Sequence, residues 1–124
     1  MTIKKRFIGK TNVEVSEFGF GTAPLGGWPV EVSDQNAQSS LQKAWDLGIR
    51  YFDTAPLYGS GMSEIRLGNF LKNQNRNEFT ISTKVGRLIV DTKKSKASEK
   101  FIGSPIDRDS EFNFSYDATM KSLE

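Results

Sequence analysis

Three side chains in this sequence, Asp53, Tyr58 and Lys84, have the types and the spacing to move a proton. Asp53 closes the stretch YFD, Tyr58 follows in TAPLYGSG, and Lys84 stands near the end of FTISTKV. Asp53 and Lys84 are 31 residues apart, close to one strand–helix–strand repeat. In such a unit the two strands lie side by side, on the order of 5 Å apart, so residues at matching heights on one face can touch. Thr80, Ser82 and Lys84 alternate onto one face of the later strand, and Phe79, Ile81 and Thr83 onto the other. Tyr51 and Ile49 share the face of Asp53. With Phe79 and Ile81 turned toward helices, Lys84 points inward. If the face of Asp53 is inward as well, the two form an ion pair at the C-terminal end of the sheet, where parallel α/β proteins place their active sites.

Tyr58 lies in the loop leaving that end. A phenol normally keeps its proton to about pH 10; a neighbouring ammonium favours the phenolate, and Asp53 would keep Lys84 charged and oriented. Tyr58 is then suited to donate a proton to a carbonyl oxygen, or take one from an alcohol, nearer neutral pH. That is one half of carbonyl reduction. The other half is a hydride, which no side chain supplies, so a nicotinamide cofactor is required.

The elements that must hold these residues are legible as a hairpin followed by βα units. Residues 3–15 read as two short strands around GKTN, with Ile3, Phe7, Ile8, Val13 and Val15 as the apolar positions. A strand is expected near residues 17–20, then a Gly-rich loop from Gly21 to about Val32. A helix follows, capped by Ser33 or Asp34, with Ala37, Leu41, Ala44 and Trp45 on one face. Gly48 suits its C-terminal end. A strand over 49–53 leads through TAPLYGSG to a second helix, about 63–72, for which Ser63 is the expected cap and Leu67, Phe70 and Leu71 the apolar stripe. NQNRN is a polar loop, and 79–85 a third strand. Residues 87–114 read as irregular, with Lys93, Lys94, Lys96 and Lys100 as a solvated basic stretch and Gly103 and Pro105 as breakers. A last helix is expected from Tyr116, its stripe formed by Tyr116, Met120 and Leu123. Alternation of this kind argues for parallel strands with helices outside.

Composition narrows the function classes. With 36% hydrophobic and 26% charged residues, the 124-residue chain is globular in type. A net charge of +2 implies neither a nucleic-acid nor a membrane partner. There is no Cys and no His, which removes thiolate chemistry, the commonest general base and the commonest zinc ligand; no metal site is expected. MTIKKRF is followed by no apolar signal region, and no run approaches the roughly 20 apolar residues of a membrane span. The cytoplasm is the default location.

GFGTAPLGG, DLGIRYFDTAPLYGSGMSE and ISTKVGR together resemble the aldo-keto reductase family, nearly continuously over residues 6–87 and weakly over the last nine. FNFSYDATMKSLE is similar to the branch that includes D-threo-aldose 1-dehydrogenase, pyridoxal 4-dehydrogenase and L-galactose dehydrogenase. The resemblance implies an α/β fold, the N-terminal portion of a (β/α)8 TIM barrel closed at the bottom by the hairpin. It implies oxidoreduction of an aldehyde, a ketone or a sugar alcohol group with NADP or NAD, and a small-molecule carbonyl or sugar substrate. Asp53, Tyr58 and Lys84 match three of the family's four catalytic positions, Tyr58 as the proton donor. Gly21, Thr22, Ala23 and Asp53 match groups near the nicotinamide. The fourth catalytic position is a His, and the main cofactor clamp lies in later strands, beyond residue 124. A full barrel takes about 250 residues, so residues 1–124 are expected to form an incomplete N-terminal part of a single barrel domain, truncated, inactive alone and, with exposed parallel strand edges, aggregation-prone.

Other readings stand beside this one. The chain could be a non-catalytic barrel fragment or interaction module from a degenerate gene, since the family includes binding subunits that use the barrel as a scaffold. A different α/β barrel enzyme could place Asp and Lys similarly, but the Tyr58-Gly59 loop argues against it. GFGTAPLGG is not a dinucleotide fingerprint, because Pro24 stands where the third Gly belongs. Trp28 either lines a pocket or packs on its loop, and Trp45 is a core residue. NFS at 113–115 fits the glycosylation triplet but has no secretory context.

Overall fold

A computed structural model describes residues 3–91, 93, 105 and 107–124. The hairpin comes first. Strands β1 (Lys5–Phe7) and β2 (Glu14–Ser16) pair antiparallel, with Arg6 opposite Val15. Ile8 N–H donates to the Val13 carbonyl at 2.9 Å to close the turn.

A parallel sheet follows, in the order β3 (Phe20–Gly21), β4 (Tyr51–Asp53), β5 (Thr80–Ser82). Register sets Gly21 beside Asp53, and Asp53 beside Ser82. These strands are shorter than the apolar runs that announced them, so Lys84 lies just past the end of β5 rather than inside it.

Helix α1 (Asp34–Asp46) starts at Ser33, whose hydroxyl accepts from Asn36 N–H. Its face of Ala37, Leu41 and Ala44 is buried as the helical spacing requires. Helix α2 (Met62–Leu71) buries Leu67, Phe70 and Leu71, but its N-cap is Gly61 and not Ser63. The Ser63 hydroxyl is spent on a tertiary contact instead, described below. Between β4 and the two helices sits the core: Phe52 is fully buried and is flanked by Leu25, Leu41, Leu67 and Phe79. Trp45 stacks on Phe52 at 6.4 Å and meets Phe70 and Phe79 edge-on, so it belongs to the core as expected. Phe79 joins the core too, whereas Ile81, expected on the same side, is 41% exposed. Among the described residues β5 has a partner strand on one side only, so its other edge is unpaired.

The reading of 87–114 as irregular is corrected over 87–91 and 108–112. Strands β6 (Arg87–Asp91) and β7 (Arg108–Phe112) form an antiparallel ribbon, with Ile89 opposite Ser110. RLIV is β-rich, but its partner RDSEF is not, and no tight hairpin turn marks the pairing. Of the basic stretch, Lys94, Lys96 and Lys100, and with them Gly103, lie outside the described residues. Helix α3 (Tyr116–Lys121) is capped by Ser115, but its expected stripe is turned outward: Tyr116, Met120 and Leu123 are exposed, and Ala118 is the residue it buries.

Candidate active site

Strand register carries Asp53 and Lys84 to the same place. The Lys84 ammonium lies 2.8 Å from Asp53 Oδ2 and donates also to the Thr54 carbonyl at 2.9 Å. The other carboxylate oxygen, Oδ1, accepts from the Ser82 hydroxyl at 2.6 Å. Tyr58 is drawn in by its loop, and the Lys84 Nζ sits 5.2 Å from the centre of its ring. The three residues read from spacing alone therefore form one cluster at the C-terminal end of the parallel sheet.

Their charges reinforce one another. Burial raises the Asp53 pKa, but hydrogen bonds from Lys84 and Ser82 and the charge of Lys84 outweigh it, so the carboxyl stays below its ordinary 3.8. Burial lowers Lys84, but bonding to Asp53 and its charge, with a smaller contribution from Tyr58, outweigh that and hold the ammonium above its ordinary 10.5. The side chains are 39% and 49% exposed, so the pair adds little to stability. Its effect is orientation.

The loop bearing Tyr58 is clamped from below. The turn at Ala23–Gly26 and the loop 54–61 touch backbone to backbone: a Cβ on Gly26 would run into Tyr58 and Gly59, and one on Gly59 into Gly26. Under this contact Ser63 Oγ lies 2.7 Å from the Thr22 carbonyl oxygen and 2.8 Å from its hydroxyl. Thr22 in turn directs both its hydroxyl and its N–H to the Asp53 carbonyl, each at 2.9 Å. Sequence reasoning missed Ser63, because a serine at a helix start reads as a cap.

The stretch matched to the nicotinamide divides in three. Gly21 pairs with Asp53 in register, and the space a Cβ would occupy there is open to 4 Å. Thr22 is fully buried, its donors used within the protein. Ala23 opens the turn that leads to Gly26. A flat ring could therefore approach over Gly21 beside the Asp53 carboxylate, so these residues fit a nicotinamide at that position, with Thr22 as scaffold.

A pocket of about 280 Å³ opens beside Tyr58, lined by Leu57, Tyr58, Lys84, Val85, Arg87 and Phe112 among others. Its size is near the small end for small-molecule sites. Larger depressions of about 460 Å³ at the hairpin and about 590 Å³ between α1 and α2 are lined by none of Asp53, Tyr58 and Lys84; chemistry rather than size selects the smaller one. Trp28 is mostly exposed and is not among the residues lining this pocket. Among the described residues no helix is long and apolar enough to cross a membrane.

Known proteins share this fold and much of this sequence. The chain is 39% identical over 98% of its length to pyridoxal 4-dehydrogenase of Microbacterium luteolum, of which it spans 38%. It is 51% identical over 60% of its length to D-threo-aldose 1-dehydrogenase of a Pseudomonas species, of which it spans 23%. The solved holo form of an aldo-keto reductase from Bacillus halodurans superposes with a TM-score of 0.64 and 31% identity, covering 80% of this chain and 30% of that one. The chain thus spans well under half the length of the proteins it matches. Its architecture is that of the N-terminal portion of a (β/α)8 barrel preceded by a β-hairpin. The Aldo/keto reductase family model matches residues 17–118, which take in Asp53, Tyr58 and Lys84, and the chain belongs to the aldo/keto reductase family.

Proposed function

We propose that these residues form the proton-transfer half of an NAD(P)-dependent oxidoreductase site acting on a small carbonyl compound or sugar alcohol, with Tyr58 as the proton donor. The observation that carries this reading is the 2.8 Å Asp53–Lys84 pair beneath the Tyr58 ring. A nicotinamide bound over Gly21 would supply or accept the hydride. Lys84 has three N–H groups. Two are engaged by Asp53 and Thr54, and the third is left for the Tyr58 side. There its charge stabilises the negative charge that develops on the phenol oxygen as the proton leaves. Asp53 keeps that ammonium charged and fixed. The backbone contact between Gly26 and Gly59 holds Tyr58 at the mouth of the pocket. The 124 residues contain no His, so the family's fourth catalytic group is not among them, and turnover by these residues alone is expected to be negligible. A cytoplasmic setting belongs to the same proposal.

The test is a hybrid in which residues 1–124 replace the matching segment of D-threo-aldose 1-dehydrogenase. Expected is NAD(P)-dependent aldose oxidation that falls about 10²- to 10⁴-fold in Tyr58→Phe, the scale of a lost acid/base group. A Tyr58→Phe hybrid that keeps its full rate would sink the reading.

A further inference from the structure

Two side chains on the inner face of the sheet, Tyr51 and Ser82, have no part in the reaction described so far, yet they form a chain that ends on Asp53. Ser82 Oγ is 2.6 Å from Asp53 Oδ1 and 2.9 Å from the Tyr51 hydroxyl. Proton inventory fixes the direction of this chain. An ionised carboxylate only accepts, and a serine has a single O–H to give. The Ser82 proton is committed to Asp53, so Tyr51 must donate to Ser82. The Tyr51 ring has its own seat: a Cβ at Gly19 would fall 2.7 Å from a ring carbon, so the absent side chain there is the space in which the ring lies. The ring thus starts beside the segment leading into β3, its hydroxyl reaches β5, and the bond from Ser82 returns to β4.

We propose that Tyr51 and Ser82 are positioning residues, a directed hydrogen-bond chain that locks the Asp53 carboxylate in one orientation and so fixes Lys84 beneath Tyr58. Held by Lys84 alone, a half-exposed carboxylate can rotate and its exposed lysine can swing to solvent, the usual fate of surface ion pairs. With Oδ1 bonded to Ser82, Oδ2 must face Lys84. Neighbouring bonds in such a chain also polarise one another, so loss of the distal member weakens the proximal one. The charged group facing Asp53 is Lys84, with Tyr58 behind it. The purpose assigned to the locked carboxylate rests on the proposed function; the lock itself does not.

The test is a ¹³C NMR titration of the Asp53 carboxyl carbon in the 124-residue chain, with no nicotinamide and no substrate present. Ser82→Ala is expected to move the Asp53 midpoint upward. Tyr51→Phe, which keeps the ring and removes only the distal donor, moves it upward by less. Ser82→Thr, which restores the hydroxyl, returns it to the wild-type position. A Ser82→Ala chain with wild-type circular dichroism and an unmoved midpoint overturns the proposal. If Ser82→Ala does not fold, Tyr51→Phe decides, and an unmoved midpoint there overturns it equally. Because the titration contains no cofactor, a hybrid enzyme that fails to turn over would sink the proposed function and leave this result standing.

Discussion

The parallel sheet β3-β4-β5 and the ribbon β6–β7, which supplies Arg87 and Phe112 to the pocket beside Tyr58, differ in what they bury. In the sheet the central apolar residue is covered and the polar end holds the site: Phe52 is fully buried, Asp53, Lys84 and Ser82 meet at the C-terminal end, and Ile81 in β5 is the apolar exception at 41% exposed. In the ribbon the order is reversed. Asp109 and Ser110 are buried, while Phe112 is 67% exposed and stacks with the exposed Phe114 at 5.9 Å. The sheet is held by its core and the ribbon by its ladder and polar contacts, such as Arg87 to Ser110 at 3.3 Å. A site on the first is rigid by packing. A wall supplied by the second can change its side chains at little cost.

That contrast can be broken experimentally. The largest effect belongs to the sheet: Phe52→Ala removes the centre of the core and should cost about 3–5 kcal/mol in urea unfolding, leaving little or no folded protein. A loss under about 1 kcal/mol would mean that the core does not carry this half. Next is Gly26→Ala, which drives a methyl into the Tyr58–Gly59 backbone. Overpacking of this kind costs about 1–3 kcal/mol, and the tyrosine ring signals of residue 58 should shift with it. Unchanged signals would contradict the clamp.

Acidification comes third. The Asp53 pKa is lowered in the folded state, so its contribution is present above the ordinary carboxylate value and lost as pH falls through the folded one. Lys84 is raised, so its contribution is full below the ordinary ammonium value and lost only as pH rises past it. The pair should persist from the mildly acidic range to beyond pH 10 and open below the ordinary Asp range, at a cost of at most about 1 kcal/mol for so exposed a pair. The Lys84 ammonium resonance followed by NMR against pH checks this; a pair that opens near neutrality is incompatible with it. Smallest is Phe112→Ser, in the ribbon, which should stay within about 0.5 kcal/mol of wild type. A larger loss would show that the ribbon has a core of its own.

The same contrast explains what could be read from sequence. Asp53 and Lys84 were legible because a βαβ unit fixes register and a strand alternates faces, so a spacing of 31 residues becomes a 2.8 Å contact. Tyr51 and Ser82 were visible as members of that inward face, but the bond between them needs the ring seat at Gly19, which lies on another segment. Ser63 was misread as a cap because its partner, Thr22, is 41 residues away. The ribbon was missed because polar residues occupy its buried positions. The stripe of α3 was misassigned because Tyr116, Met120 and Leu123 have helical spacing, and spacing alone does not say which face is covered.

The backbone contact between Gly26 and Gly59 has a consequence for engineering. The two loops interlock without side chains, so neither can be exchanged by itself: a graft of residues 54–61 into another scaffold brings residues 22–27 as obligatory cargo, and a longer substitute for either must be chosen together with its mate. Loop shuffling in this fold is therefore pairwise, and a library that varies these two segments independently should consist largely of misassembled members.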